Sequence, residues 1–245
     1  MPTPPTEPPS SGGIHVGNVG GSLSIRADGD IVAGAKIIQI SVDAVTQQPL
    51  DTTSPYRGLK RFEDRDKDLF FGRDQLIEKL LDRLGSSNVL LVLGASGSGK
   101  SSVVLAGVLP KLSQLAARFR YFTLVPDANP FESLRSALQG GRFSQAQTRE
   151  LLDAQPDAPI RLIRGLQQEG DQWLIFVDQF EEIFTVSDER LRANFISALV
   201  KIAQHSTGSI KLVLAMRADF FDRFSPFPQF AKLIEKNIEI GRAHV

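Results

Sequence analysis

Residues 90 to 103, LLVLGASGSGKSSV, pass from an apolar run into a glycine-rich bend and then into a lysine followed by two serines. An unbroken apolar run of this kind suits a strand buried on both faces, as in parallel sheets covered by helices. The bend, Gly94-Ala95-Ser96-Gly97-Ser98-Gly99-Lys100-Ser101, fits G-x-x-x-x-G-K-[ST]. Its glycines let the backbone wrap closely, so that successive N–H groups can point at phosphate oxygens. A helix starting there turns its positive end toward the anion. Lys100 would reach the β- and γ-phosphates, the Ser101 hydroxyl would ligate Mg²⁺, and Ser102 would continue the helix. The expected ligand is a nucleotide with Mg²⁺, its phosphates cradled by Gly94 through Ser102.

A second apolar run, WLIFV at 173–177, ends at Asp178. Ligands of open α/β sheets sit at the carboxyl ends of the strands, so Asp178 is expected to hold Mg²⁺, directly or through water. Glu181 and Glu182 follow within one turn. One of them would orient or deprotonate an attacking water, or both would serve as acids favoured by a helix N-terminus. A third run, IKLVLAM at 210–216, leads to Arg217. A cation there would sense the γ-phosphate; the alternative is a surface arginine paired with Asp219 or Asp222.

Between these strands the pattern turns helical. Residues 74–84 carry apolar side chains at 76, 77, 80, 81 and 84, with Asp74 as a helix start. Further helices are expected over 100–109, closed by Pro110, and over 131–139, 144–154, 159–169 and 188–204, with another strand over 120–125. Strands alternating with amphipathic helices predict an α/β fold: a parallel sheet flanked by helices, of the P-loop NTPase type. Ahead of it, the Pro-, Thr- and Ser-rich residues 1–13 read as a disordered tail. Residues 14–45, short β-branched runs split by Gly, Asn and Asp, read as a small β-rich element, and 46–55 as a linker. Small strands of this kind bury little alone, so they are expected to pair in an oligomer or pack on a partner, the alternative being a partly ordered linker.

Composition narrows the rest. The chain has 28 Lys+Arg against 28 Asp+Glu, so charge alone signals no nucleic-acid or membrane surface. Lys60, Arg61, Arg65 and Lys67 alternate with acids and read as a solvated face. With no cysteine there is no disulfide, thiolate metal site or cysteine nucleophile. His15, His205 and His244 show no metal spacing. The N-terminus lacks the features of a signal peptide, and a cytoplasmic location is the default.

The ordered set PYRGLKRFEDRDKDLFFGRDQLIEKLLDRL, the phosphate loop, LIFVDQFEEIF and LVLAMRADFFDRF closely resembles the novel STAND NTPase domain over about residues 54–238. The resemblance implies a signal-transduction ATPase related to AAA+ and NACHT modules. ATP would favour an open, oligomerising form and ADP a closed one, with slow hydrolysis. It also implies that FFGRD, Phe70 to Asp74, lines an adenine site, with Phe70 or Phe71 against the base, Gly72 allowing close approach and Arg73 alongside. The expected partners are ATP, further copies of the chain and an unidentified protein effector. Residues 29–36, GDIVAGAK, resemble elements found ahead of STAND modules, with Ala35 where Asp is common. Members usually continue into a helical lid or winged helix and then a repeat sensor, often WD repeats. The terminal IGRAHV coincides with one frame of a sequencing adapter. The NTPase domain is therefore expected over 56–238, truncated, with 239–245 a non-native tail.

Rival classes fit less well. ALQGGRFSQAQ at 137 has a superficial likeness to an ABC signature loop, but it lies far ahead of Asp178, and Gln179 stands where an ABC ATPase has Glu. No N-K-x-D guanine reader, second kinase substrate site or G-x-S-x-G elbow is present. A nucleotide-holding scaffold without turnover stays open.

Overall fold

The computed structural model describes residues 14–19, 22–27, 72–205, 208–235 and 237–240. The chain divides into two units, Met1–Thr53 and Ser54–Val245. The expected tail over 1–13, the linker over 46–55, residues 28–45 of the β-rich element, Phe70 and Phe71, and residues 241–245 lie outside the described residues.

In the first unit, strands β1 (Ile14–Val19) and β2 (Ser22–Ala27) pair antiparallel, from Ile14 opposite Ala27 to Val19 opposite Ser22. Two residues separate them, the spacing of a tight hairpin.

The second unit holds a five-stranded parallel sheet. Its strands are β3 (Val89–Gly94), β4 (Phe119–Leu124), β5 (Gln172–Val177), β6 (Ile210–Arg217) and β7 (Ile238–Ile240), in spatial order β4-β5-β6-β3-β7. Successive side chains of a strand point to opposite faces. Val89, Leu91 and Leu93 therefore join one core, while Leu90 and Val92 join the other. The same alternation splits Trp173, Ile175 and Val177 from Leu174 and Phe176. Burying each such side chain is worth roughly 1.5–3 kcal/mol, so a one-residue slip of β3 would upset two cores at once.

Helix α1 (Asp74–Ser86) covers one face through Ile77, Leu80 and Leu84. It shares that face with a helical run after the phosphate loop: α2 (Lys100–Ser102), a π-helical stretch (Val103–Val108) and α3 (Leu109–Leu115). The opposite face packs against α4 (Pro130–Gly140), α5 (Ala158–Leu166), α7 (Glu189–His205) and α8 (Pro228–Glu235). Between α5 and α7 comes the short α6 (Glu182–Thr185). Among the described residues no helix is long and apolar enough to cross a membrane.

The run after the loop does not stop at Pro110, as its sequence suggests, but continues to Leu115. The preceding turns are wide: the Leu109 N–H donates to the Val104 carbonyl, five residues back. Pro110, at the start of α3, has no N–H to donate in either register, and a wider turn gives its ring more room beside the carbonyl four residues back. The helix expected over 144–154 is also shorter, a 3₁₀ turn over Arg149–Asp153. Ser144, Gln147 and Thr148 divert the backbone upstream: the Gln147 N–H donates to Ser144 Oγ at 3.2 Å and Thr148 Oγ1 to the Ser144 carbonyl at 3.1 Å. Helix α8 is not among the expected elements, and strand β7 brings residues 239 and 240, expected in a tail, into the sheet beside Val92 and Leu93 of β3. Phe230 and Ile234, four residues apart and both buried, are the helical signal for α8.

Candidate functional site

All five strands are parallel, so their carboxyl ends share one edge of the sheet. The three segments singled out from sequence leave β3, β5 and β6, and β6 lies between the other two. Gly94, the last residue of β3, is the register partner of Arg217, the last residue of β6. The Phe180 N–H donates to the Ala215 carbonyl at 2.8 Å and ties the exit of β5 to β6.

The bend between β3 and α2 has the backbone its glycines predict. Gly97 and Gly99 take φ of 73° and 82°, a region that side chains with a Cβ rarely adopt. A Cβ built on either would meet nothing within 4 Å, so the space beside the bend is open. Ser98 Oγ is buried there without a hydrogen-bond partner, and a buried unsatisfied hydroxyl calls for an explanation. The Lys100 ammonium folds back onto its own loop, donating to the Gly94 carbonyl at 3.1 Å and the Ala95 carbonyl at 2.8 Å. Burial is the main influence on it and pushes it below the ordinary lysine range, against the pull of Glu181 and then Asp178.

Ser101 Oγ donates to Asp178 Oδ1 at 2.7 Å. Strands in a sheet are about 4.8 Å apart, so two strands separated by a third are about 10 Å apart; the loop and Asp178 meet above β6. Asp178 is 1% exposed and accepts a second bond, from the Gln179 N–H at 2.9 Å. Gln179 bends the chain away with a left-handed φ of 49°. The two following acids differ. Glu181 is buried, feels the Lys100 charge, and accepts the Arg217 N–H on Oε2 at 3.2 Å. Glu182 opens α6 and turns to its own helix, where Thr185 Oγ1 donates to it at 2.6 Å.

The Arg217 guanidinium is paired with Asp219, the surface alternative weighed above, through Nη2–Oδ2 at 2.6 Å and Nε–Oδ1 at 3.1 Å. Of the segment expected to line an adenine pocket, Gly72 has a φ of 81° and is exposed, and Arg73 is half-buried at the start of α1. Gly94 is buried, Ala95 and Ser96 are exposed, and Ser102 is buried in the helix that follows. Among the described residues no group of three or more His, Asp or Glu side chains gathers to hold a metal. A serine hydroxyl beside a carboxylate still suits Mg²⁺, a hard cation that keeps several waters and takes few protein ligands.

A family profile described as Novel STAND NTPase 1 matches residues 55–243. The chain belongs to that family. This STAND NTPase is thus a nucleotide-binding domain of the P-loop NTPase type. No curated protein matches it by sequence. Among solved structures it is similar to the Aeropyrum pernix ORC2 protein in its ADPNP–ADP complexes, with TM-score 0.53 and 19% identity over 70% of this chain and 48% of that one. It is also similar to the A. pernix ORC1 protein in complex with DNA, with TM-score 0.52 and 13% identity over 72% and 46% of the two chains. The STAND NTPase thus spans about half the length of these structures, and at such identities the likeness is one of fold.

Proposed function

We propose that the chain is an ATP-binding switch module that hydrolyses ATP slowly and whose nucleotide state governs its association with further copies and with a protein effector. The observation that carries this reading is the 2.7 Å contact between Ser101 and Asp178 beside the Lys100 ammonium. It brings a hydroxyl, a carboxylate and a cation to the mouth of a loop of backbone donors.

In this reading the N–H groups of residues 95 to 102 receive the phosphates, and Lys100 leaves the Gly94 and Ala95 carbonyls for the β- and γ-phosphate oxygens. Ser101 and Asp178 would hold Mg²⁺, which when bound offsets phosphate charge. Glu181 is the better candidate for orienting the attacking water, because it is buried beside Lys100 whereas Glu182 is occupied by Thr185. Arg217 would read the γ-phosphate. Gly72 and Arg73, with Phe71 before them, would border the adenine. A ligand shifts a conformational equilibrium only by its differential affinity for the two states; Lys100, Ser101 and Arg217, all facing the terminal phosphate, would supply that difference. The short β1–β2 hairpin would add a second point of association.

The test is calorimetric titration with Mg·ATP and Mg·ADP, followed by single-turnover hydrolysis and light scattering in each nucleotide. The reading expects micromolar or tighter ATP binding, slow turnover and a larger particle with a non-hydrolysable ATP analogue than with ADP. Absence of ATP binding would overturn it. Binding without turnover would reduce it to a nucleotide-holding scaffold.

A further inference from the structure

Strand β6 ends at Arg217, and a 3₁₀ turn over Ala218–Phe224 begins directly after it. Asp219, inside that turn, grips the Arg217 guanidinium at two points, 2.6 Å and 3.1 Å. The Phe220 ring lies 5.4 Å from the same guanidinium and steadies it by a cation–π contact. A carboxylate matches the guanidinium fork because it offers two oxygens at the right spacing, and a phosphate matches it for the same reason. Asp219 thus uses the donors that a terminal phosphate would need. It also stands within the field of Lys100, at the phosphate end of the site. The Arg217 hydrogen bond holds its carboxyl below the usual carboxylate range, so it is charged whenever the site is competent.

Two features make this grip exchangeable. The partners are two residues apart, so the fork closes without ordering a loop. Both side chains are open to solvent, 43% and 57% exposed, and such pairs are weak.

We propose that Asp219 is a built-in stand-in for the terminal phosphate. It occupies Arg217 when the site is empty or holds a diphosphate, gives way to a triphosphate, and so sets how strongly the site prefers ATP over ADP. This rests on the reading of Arg217 as the γ-phosphate sensor. A ligand that must wait for a competent state binds more weakly by the fraction of time that state is available. Asp219 therefore lowers affinity for the triphosphate and leaves the diphosphate, which does not reach Arg217, unaffected.

The test compares dissociation constants for a non-hydrolysable ATP analogue and for ADP, both with Mg²⁺, in the full chain and in Asp219→Asn, Arg217→Ala and the double variant. Asp222→Asn, a nearby exposed acid outside the fork, controls for the loss of one negative charge. Circular dichroism and melting temperature confirm that each variant is folded. Asp219→Asn is expected to tighten the analogue about two- to fivefold, the range of an exposed ion pair, with ADP unchanged. In the Arg217→Ala background the same change is expected to do nothing. Unchanged or weaker analogue binding in folded Asp219→Asn would overturn the proposal. So would equal tightening of analogue and ADP, a gain matched by Asp222→Asn, or a gain that persists without Arg217. If Arg217→Ala leaves the ratio of ATP-analogue to ADP affinity as it was, the sensor reading of Arg217 fails, and this inference with it. If that ratio collapses while Asp219→Asn has no effect, only this inference fails.

Discussion

Ser101 and Asp178 are 77 residues apart in the chain and share a 2.7 Å hydrogen bond across the end of strand β6. A hydroxyl that donates to a carboxylate is well placed to turn its lone pairs toward a cation when one arrives, because the carboxylate is already beside it. Replacing Asp178 with Ala should abolish the gain in ATP affinity that Mg²⁺ confers. Titrations in Mg²⁺ and in EDTA check this; a gain as large as that of the unaltered chain would move the metal elsewhere.

Lys100→Ala should weaken ATP binding by about 100-fold or more, since charged hydrogen bonds contribute roughly 1.5–3 kcal/mol each. The fold should survive, because the two carbonyls that Lys100 holds lie at the open mouth of the loop. Calorimetry and a thermal melt measure the two effects separately.

Burial holds the Lys100 ammonium below the ordinary lysine range. Nucleotide phosphates favour the charged form, so binding raises the pKa of this group and draws in a proton wherever the free site has begun to lose one. ATP affinity should therefore fall as pH rises through the lowered value, earlier than an ordinary lysine would allow. Titrations in buffers of different ionisation enthalpy should show net proton uptake on the alkaline side and none near neutrality. The effect should vanish in Lys100→Ala.

The two acids after β5 can be separated. Glu181→Gln should slow single-turnover hydrolysis by about 100-fold or more, the contribution of a positioned general base, with ATP affinity little changed. Glu182→Gln should hydrolyse at nearly the normal rate, since its carboxylate is engaged with Thr185 on its own helix. Reversed behaviour of the two variants would exchange their roles.

Glu239 is buried on β7 and meets Lys79 at 2.6 Å and Arg83 at 3.1 Å, both on α1. Glu239→Gln should destabilise the domain by roughly 1–2 kcal/mol, less than a fully buried pair would lose because Lys79 remains half in solvent. Urea unfolding checks this, with the slope unchanged and the midpoint lowered.

The segments that meet at the candidate site were legible along the chain because their patterns are local. Three glycines ahead of a lysine and a serine predict a tight bend between strand and helix, which Gly97 and Gly99 make with positive φ, and apolar runs of five or six residues between amphipathic helices predict a two-sided parallel sheet. The folded strands and helices lie close to where periodicity puts them. Pro110 and the 144–154 segment escaped, since a widened helical turn and competing Ser and Thr hydrogen bonds depend on neighbours that propensity does not count. Other matters were decided only by packing. Which strand lies between β3 and β5, and so what the loop must reach across, follows from how two apolar faces are buried at once. That Glu181 turns inward toward Lys100 while Glu182 turns to Thr185, and that Arg217 is gripped by Asp219 rather than Asp222, depends on side-chain directions set by the exits of β5 and β6. A linear sequence specifies which groups are present and how they repeat. Only the closed sheet edge sets the few ångströms between groups from distant segments, and interactions between charges and hydrogen-bonding groups depend steeply on that distance.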